Sequence, residues 1–415
     1  MSRAVSGSGS AALKAVGSAT EGSCTEPLSQ VDLELSRKLE GYKYFELLQP
    51  VLSKVAELRP GADREWKAVH HLTAYLFYFF NPAITSLRGL QHATQLPDVQ
   101  RKLKIPRVSL GTFSEAASKR VFDAELLAEV LRELVGKLHA TDPKLREKFG
   151  AVKHVLTATD GTLLKAVPRM AWALWLNETK RAAKAHVQFE VVKGVGVDME
   201  LTPGNSSERE VLADRIEAGR CYIVDRGYVS FSLFQKIIDI ESSFVCRLGK
   251  NIVVEVIEER EIPEVSRKAG VVSDQVVRLG GPDSKRSLKH HVRVVTIARD
   301  DGKSMRLATS LMDIDADLVG EIYGSRWTVE LFFRWLKCIL GCTHLISEQP
   351  NGVALQVYAA LIASVLIALW TGTRPNKRMF ELICFYFQGW ASFGDVEKAA
   401  AALRAKAQQH TAKST

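Results

Sequence analysis

Tyr323-Gly-Ser-Arg326-Trp-Thr-Val-Glu330-Leu-Phe-Phe-Arg334-Trp-Leu-Lys337 is the stretch on which the reading of this chain turns. Set on a helix at about 100° per residue with Tyr323 as origin, Arg326 falls at about −60°, Glu330 at about −20° and Lys337 at about −40°. The four polar side chains then share one stripe about 60° wide. Val329, Phe332, Leu336 and Ile339 take the opposite face, at roughly 160° to 240°. One face is built to be buried; the other presents one acid among bases. A solvated face held by i±4 pairs of Glu330 with Arg326 and Arg334 explains the same pattern. Two acids upstream shift the balance toward chemistry.

Val155-Leu-Thr-Ala-Thr-Asp160-Gly161-Thr162 reads as a short buried strand over 152–159 that ends at an acid, with Gly161 allowing a bend. Cys221-Tyr-Ile-Val-Asp225-Arg-Gly227-Tyr228 repeats the arrangement, and a helical stretch over 232–238 follows. Either acid alone is an ordinary turn residue. Two strand-end acids and one helix acid together can hold two divalent cations that clamp the attacking and leaving oxygens of a phosphodiester. Hard oxygen ligands suit Mg²⁺ or Mn²⁺.

Asp160, Asp225 and Glu330 resemble the DDE triad of bacterial insertion-sequence transposases, specifically the IS4 group. The helix fits that group's Tyr-x2-Arg-x3-Glu-x6-Lys signature at Tyr323, Arg326, Glu330 and Lys337. Asp225-Arg-Gly-Tyr228 with Phe231 and Phe234, Asp160-Gly-Thr162, Thr202-Pro-Gly204 and Phe387-Gln-Gly-Trp390 are similar to the group as well, as is the stretch over 109–120. The resemblance spans roughly residues 60 to 395. It implies an α/β fold: an RNase H-like catalytic domain with an inserted β subdomain, preceded by a helical N-terminal DNA-binding domain. It also implies a reaction: Mg²⁺, with Mn²⁺ as substitute, held by Asp160, Asp225 and Glu330. Water nicks the transposon end, and the freed 3′-OH attacks target DNA. Tyr323, Arg326 and Lys337 would contact the DNA, and a homodimer would form on two inverted-repeat ends. Members that form a hairpin stack a flipped base on an aromatic side chain of the insert. No tryptophan lies between Trp175 and Trp327, which leaves Phe244 or Tyr228 as the platform.

The implied domains are a disordered extension (1–30), the helical DNA-binding domain (31–145), the catalytic domain in two parts (146–250 and 311–375), the β subdomain (251–310) and a C-terminal helical segment (376–415). Local patterns agree with this order. Helices are expected over 70–80, stopped by Asn81-Pro82, over 86–95, and after a cap at Thr112 or Ser114. Strands are expected over 152–159, 171–176, 186–192 and 196–201, then a helix over 207–218 and the Asp225 strand. The 105 residues from Asp225 to Glu330 are too many for one crossover; strands are expected over 251–257, 276–279, 291–297 and 305–309.

Charge and cysteine usage set outer bounds. Lys and Arg number 56 against 47 Asp and Glu, for a net +9. Clusters at Arg101, Lys102, Lys104 and Arg107, at Lys119 and Arg120, at Lys180, Arg181 and Lys184, and at Lys285, Arg286, Lys289, His290 and His291 suit a polyanion. Six cysteines show no CxxC and no zinc spacing; Cys338 and Cys342 are expected on one helix face. A reducing bacterial cytoplasm is expected, with the protein on the nucleoid when DNA is bound. The apolar run over 353–370 is interrupted by Gln356, Tyr358 and Ser364, so it reads as a buried core helix and no membrane is implied. Two rivals stay open on the residues alone: a catalytically silent, transposase-derived DNA-binding protein, and a carboxylate glycosidase. The first would have lost an acid. The second leaves Arg326 and Lys337 without a role.

Overall fold

Apolar residues run without a break through the central stretches Cys221-Tyr-Ile-Val224 and Phe244-Val-Cys246, so both faces of the sheet must be covered. In the computed structural model, residues 67–412 are described except 119–120, 167–168, 175–180, 281–287, 300–301, 340 and 343. The strands are β1 (Val155–Lys165), β2 (Ala182–Glu190), β3 (Val195–Pro203), β4 (Arg220–Val224), β5 (Ser243–Arg247), β6 (Val254–Glu259), β7 (Val271–Leu279), β8 (Val292–Ala298) and β9 (Ser304–Thr309). Their order in one mixed sheet is β3-β2-β1-β4-β5-β9-β8-β7-β6. β4 runs parallel to β1 and β5 parallel to β4, while the remaining pairs are antiparallel. The strands expected between Asp225 and Glu330 therefore continue the sheet that carries the aspartates, through β9 on β5.

Helices α1 (Ala68–Phe79), α2 (Leu87–Ala93), α3 (Pro97–Leu103), α4 (Leu110–Ala116), α5 (Glu125–Lys137) and α6 (Pro143–Lys148) precede the sheet. α7 (Glu208–Asp214) leads into β4, α8 (Phe231–Asp239) joins β4 to β5, and α9 (Glu264–Lys268) sits between β6 and β7. After β9 come α10 (Ala316–Gly324), α11 (Trp327–Arg334), α12 (Pro350–Thr371), α13 (Lys377–Phe387) and α14 (Phe393–Ala412). Tyr222, Val224, Phe244 and Cys246 pack with α8 in a smaller core. Cys221, Ile223 and Val245 face the larger core, with α10, α11 and α12.

α12 is the pillar of that larger core. It is the one described helix long and apolar enough to cross a membrane, and 89% of its apolar window lies inside the fold. Its polar interruptions are all used internally. Gln356 accepts from Ile346 N–H at 3.0 Å and donates to His344 O at 2.8 Å. Ser364 accepts from Trp335 Nε1–H at 2.8 Å, and Tyr358 donates to Met199 O at 2.5 Å. Pro350 opens the helix, and Gly372, in the left-handed region at φ 65°, ends it. α1 packs on the same helix, and its residues share the larger core.

Several expectations need correction. Ser109, not Thr112 or Ser114, caps α4: its Oγ accepts from Thr112 N–H at 3.0 Å. In place of the strand expected over 171–176, residues 171–174 form turns, with local bonds such as Ala173 N–H to Met170 O and with Ala173 O accepting from Ala182 N–H, while 175–176 lie outside the described residues. Cys342 lies in a turn beyond the helix end, so it shares no helix face with Cys338. The extension over 1–30, the helical pattern before residue 67, and Lys119, Arg120, Lys180, Lys285 and Arg286 lie outside the described residues.

The far half of the sheet is tied down by one buried ion pair. Arg293 Nε and Nη2 donate to the two Asp274 oxygens at 2.7 Å each, and both side chains are 2% exposed. Arg293 Nη1 also donates to Ile314 O, just before α10. Arg293→Ala should lower unfolding free energy by about 3–5 kcal/mol, because Asp274 would be left charged and unpaired. Arg293→Met combined with Asp274→Leu should recover most of that loss. Urea unfolding of the three proteins checks both.

Candidate active site

The register of β1 on β4 brings the two aspartates together. Val155 pairs with Arg220 and Ala158 with Ile223. The offset of 65 residues carries Asp160 onto Asp225. The ladder stops just short of them because β4 ends at Val224. There Asp225 Oδ1 accepts from Gly227 N–H at 2.6 Å and caps a 3-10 turn, Arg226–Tyr228. Asp160-Gly161, expected from the sequence to end its strand in a bend, lies inside it. β1 continues to Lys165 on β2, with Asp160 opposite Val187 and Gly161 opposite His186. The partner strand, invisible to local pattern, keeps an Asp-Gly pair extended. By the period of two, Asp160 and Asp225 face the same side as Ala158 and Ile223, toward α11.

Glu330 arrives on α11, but not on a uniform helix. Arg326 N–H donates to Tyr323 O and Val329 N–H to Arg326 O, three residues back, so the chain tightens between α10 and α11. Trp335–Ile339 then forms a π turn, anchored where Trp335 meets Ser364 and the edge of Phe380. Val329, Phe332 and Leu336 are buried as the stripe predicts. Phe332 packs against Phe189 at 5.1 Å between ring centroids. Gly196 makes room there: a Cβ would stand 2.8 Å from Leu361 and 3.2 Å from Phe332. Tyr323, Arg326 and Glu330 still meet, with the guanidinium 6.0 Å from the Tyr323 ring centroid. Lys337, half-buried in the π turn, no longer belongs to a straight α-helical stripe.

Arg326 is the hub. Its Nη2 donates to Glu330 Oε1 at 2.6 Å and its Nη1 to Asp160 Oδ2 at 3.4 Å. Its side chain is only 14% exposed. The expected i±4 pair is real, but the same guanidinium also joins the helix acid to the strand acid. Burial pushes the Asp160 carboxyl up from 3.8 to about 6. The Gly161 N–H bond at 2.8 Å and Arg326 pull it down; Glu208 and Asp225 push it further up. Burial also raises the Tyr323 phenol, against the pull of Arg326 and Arg247.

Two expected platforms are not available. Tyr228 and Phe244 are 1% and 0% exposed, and Phe244 stacks on Phe234 at 4.1 Å in the smaller core. The exposed aromatic beside the acids is Trp327, 53% accessible, immediately after Arg326. Glu208 escaped the sequence reading altogether. A first-turn acid after Ser207 looks like any helix start, and only the fold brings it beside Asp160.

Among the described residues, no three acid, histidine or cysteine side chains converge closely enough to share an ion. The Arg326 guanidinium stands between Asp160 and Glu330. The donor set nonetheless fits a hard divalent cation. It is all carboxylate oxygen, the ligand type that such a cation prefers.

A mixed α/β sheet with acids at matching positions on neighbouring strands, and a third acid on a helix joined to them through Arg326, is an arrangement suited to carboxylate-centred chemistry. The Transposase DDE domain family matches residues 152–366, more than half of the chain, so the chain belongs to that family. It is similar to the probable transposase for insertion sequence element IS5377 of Geobacillus stearothermophilus, 25% identical over 307 residues, 74% of this chain and 78% of that protein. It is also similar to the putative transposase y4zB of Sinorhizobium fredii, 29% identical over 264 residues, covering 63% and 71%. A third relative is the putative transposase for insertion sequence element IS4SA of Synechocystis, 22% identical over 290 residues, covering 67% and 77%. The chain is an insertion-sequence transposase of bacterial type, an enzyme acting on DNA, from a family that depends on divalent metal.

The raised Asp160 has a measurable consequence in metal-free buffer. The unfolded carboxyl ionises near 3.8 and the folded one near 6. Stability therefore falls as pH rises from about 4 to about 6 and stays lowered above it. Asp160→Asn removes this cost. At pH 7 the variant should be more stable than the parent by on the order of 2 kcal/mol, after discount for partial exposure. At pH 4 the two should coincide. Thermal melting across that range, in chelator, measures the gap.

Proposed function

We propose that this protein is an IS4-type DDE transposase that cuts the ends of its own element and joins the freed 3′-OH to target DNA. The observation that carries the reading is the β1–β4 register, which sets Asp160 level with Asp225 on the face that α11 covers with Glu330. An RNase H-like catalytic frame is supported by the order β3-β2-β1-β4-β5, with β1, β4 and β5 parallel. Asp160, Asp225 and Glu330 would hold Mg²⁺, with Mn²⁺ as substitute. A bound divalent cation supplies charge for the phosphate oxygens and a more acidic attacking water.

The chain's own residues do the positioning. Arg326 exchanges at least one of its carboxylate partners for DNA phosphate when Glu330 turns to the cation. Its Nε, buried and without a hydrogen-bond partner among the described residues, is a donor in reserve for a phosphate oxygen. Tyr323, kept protonated by burial, donates to the same strand, and Lys337 adds charge from the π turn. Trp327 offers a face for an unstacked base next to the scissile bond. Water attacks the phosphorus at the element's end and the 3′-oxygen leaves with a proton. That 3′-OH then attacks a target phosphodiester, displacing its 3′-oxygen. The exposed Arg101 and the neighbouring Lys104 and Arg107, on and after α3, would track DNA backbone in the helical region, and two copies would bind two ends.

Asp160→Asn, Asp225→Asn and Glu330→Gln should each lower end cleavage by on the order of 10³-fold or more. Binding to an end-containing duplex should change little. Single-turnover cleavage in Mg²⁺ beside a gel-shift assay measures both. Cleavage at the parental rate by any one of the three removes that acid from the centre.

A further inference from the structure

On the sheet face that α7 covers, away from α11, three buried polar atoms share one small space. Thr159 Oγ1, His186 Nδ1 and Tyr228 Oη have no hydrogen-bond partner among the described residues. Each of the three residues is no more than 5% exposed, so bulk solvent does not serve them. All three line one cavity of about 10 Å³. That volume has room for a single water, and buried waters typically make about three hydrogen bonds. The other polar groups of the wall are already committed. Gln188 Nε2 donates to Arg215 O at 2.9 Å, Arg215 holds Asp198 at 2.7 Å, and Glu208 Oε1 lies 3.3 Å from Lys184 Nζ.

The bonding roles of the three atoms are complementary. Thr202 Oγ1 donates its one hydrogen to Pro203 O at 3.1 Å, so its oxygen accepts from His186 Nε2–H at 2.8 Å. Burial, with Lys184 in support, pushes the His186 imidazole down to about 4, so the ring is neutral near pH 7. With its proton on Nε2, Nδ1 is an acceptor. The Tyr228 phenol brings an O–H donor, and the Thr159 hydroxyl can take either role. A water can accept from the phenol, donate to the imidazole and still share a bond with Thr159.

The place of this cavity gives such a water a task. Thr159 directly precedes Asp160 on β1, and His186 stands opposite Gly161 on β2. Tyr228 closes the 3-10 turn capped by Asp225, and its N–H donates to Asp225 O at 3.2 Å. The β1–β4 ladder stops at Ala158 and Ile223, before either acid. A bridge from Tyr228 to Thr159 joins the two chain segments just where backbone pairing ends.

We propose that one buried water bridges Tyr228 Oη, Thr159 Oγ1 and His186 Nδ1, and that through it Tyr228 is a positioning residue that holds the turn of Asp225 against the strand of Asp160. The water lies behind the sheet, touches neither aspartate and takes no part in the chemistry. Its effect on the reaction rests on the reading that the two aspartates belong to the reaction centre; its presence does not.

Tyr228→Phe and Thr159→Val each remove one hydroxyl with little change of shape, and the test uses the full-length protein. Each should lower the melting midpoint by about 2 °C or more. The double variant should lose less than the sum, because both hydroxyls serve the same water. With saturating end duplex and Mg²⁺, each should slow single-turnover cleavage about tenfold while leaving the duplex Kd unchanged. Thr159→Ser, which keeps the hydroxyl, should cleave at close to the parental rate. A crystal structure fine enough to show ordered water should place density within about 2.6–3.2 Å of all three atoms. A dry site reverses the sign of the melting result, because removing a buried hydroxyl that has no partner is stabilising. A raised midpoint in both single variants, or no density at that point, overturns the water. Lowered midpoints with parental cleavage in both overturn the positioning role. Parental cleavage by Asp160→Asn overturns the placement of the acids instead, and the water stands.

Discussion

The parallel register of β1 on β4 is the constraint to which the rest of the centre answers. Neighbouring strands stand about 4.8 Å apart, so an offset of 65 residues places two carboxylates side by side at the mouth of the sheet. Such a pair repels itself, and burial makes the repulsion worse. Each compensating group can be named. Gly161 N–H and Gly227 N–H point at the two aspartates. Arg326 reaches over from the helix, and Lys184 offsets Glu208 from the other face. Burial is the main reason the Asp160 carboxyl is raised, with the Gly161 N–H and Arg326 opposing it.

What fixes Glu330 is packing at a distance. α11 is only eight residues long, too short to hold its own direction. Its direction comes from Phe332 on Phe189, from the bare surface of Gly196, and from Trp335 bonded to Ser364 on the buried α12. The tightened turn before α11 and the π turn after it absorb the mismatch between those anchors and an ideal helix. The signature residues are therefore carried by a segment whose rotation is set by α12, and the spacing of Arg326 and Glu330 alone does not fix it. An exposed i,i+4 pair contributes well under about 1 kcal/mol. Arg326 differs because it is largely buried and grips acids from two elements. Its ion pairs keep Glu330 near Asp160 while also holding it away from any shared ligand.

Much of this was legible in the sequence, because it depends on local order. The apolar runs before Asp160 and Asp225, the buried face of Val329, Phe332 and Leu336, and the core character of α12 follow from periodicity and hydrophobicity. What was not legible depends on partners far along the chain. β2 keeps Asp160-Gly161 extended where an isolated Asp-Gly turns. β9 pairs with β5, so the later strands extend one sheet. Tyr228 and Phe244 look like exposed aromatics after an acid or in a strand, yet the smaller core takes both. Ser109 rather than Thr112 is the cap because it stands in the β region, at φ −78° and ψ 156°, while Thr112 is already inside the helix. Glu208 was hidden by its ordinariness.

The deepest consequence lies in the period of a single strand. Side chains on β1 alternate faces: Asp160 turns toward α11 and Arg326, whereas Gly161 turns toward α7 and Glu208. Two adjacent residues thus bring two helices from opposite sides onto one point, with Asp225 beside them. A slip of one residue between β1 and β2 would exchange these roles. It would put a carboxylate where Glu208 already presses and a glycine where Arg326 expects an acid. The register is protected on both sides by the apolar residues at Leu156, Ala158 and Leu164, which the same slip would turn out of the larger core. Burial of that core and geometry of the centre are therefore enforced by the same alternation, so the pairing that stabilises the sheet is also the pairing that aligns the acids.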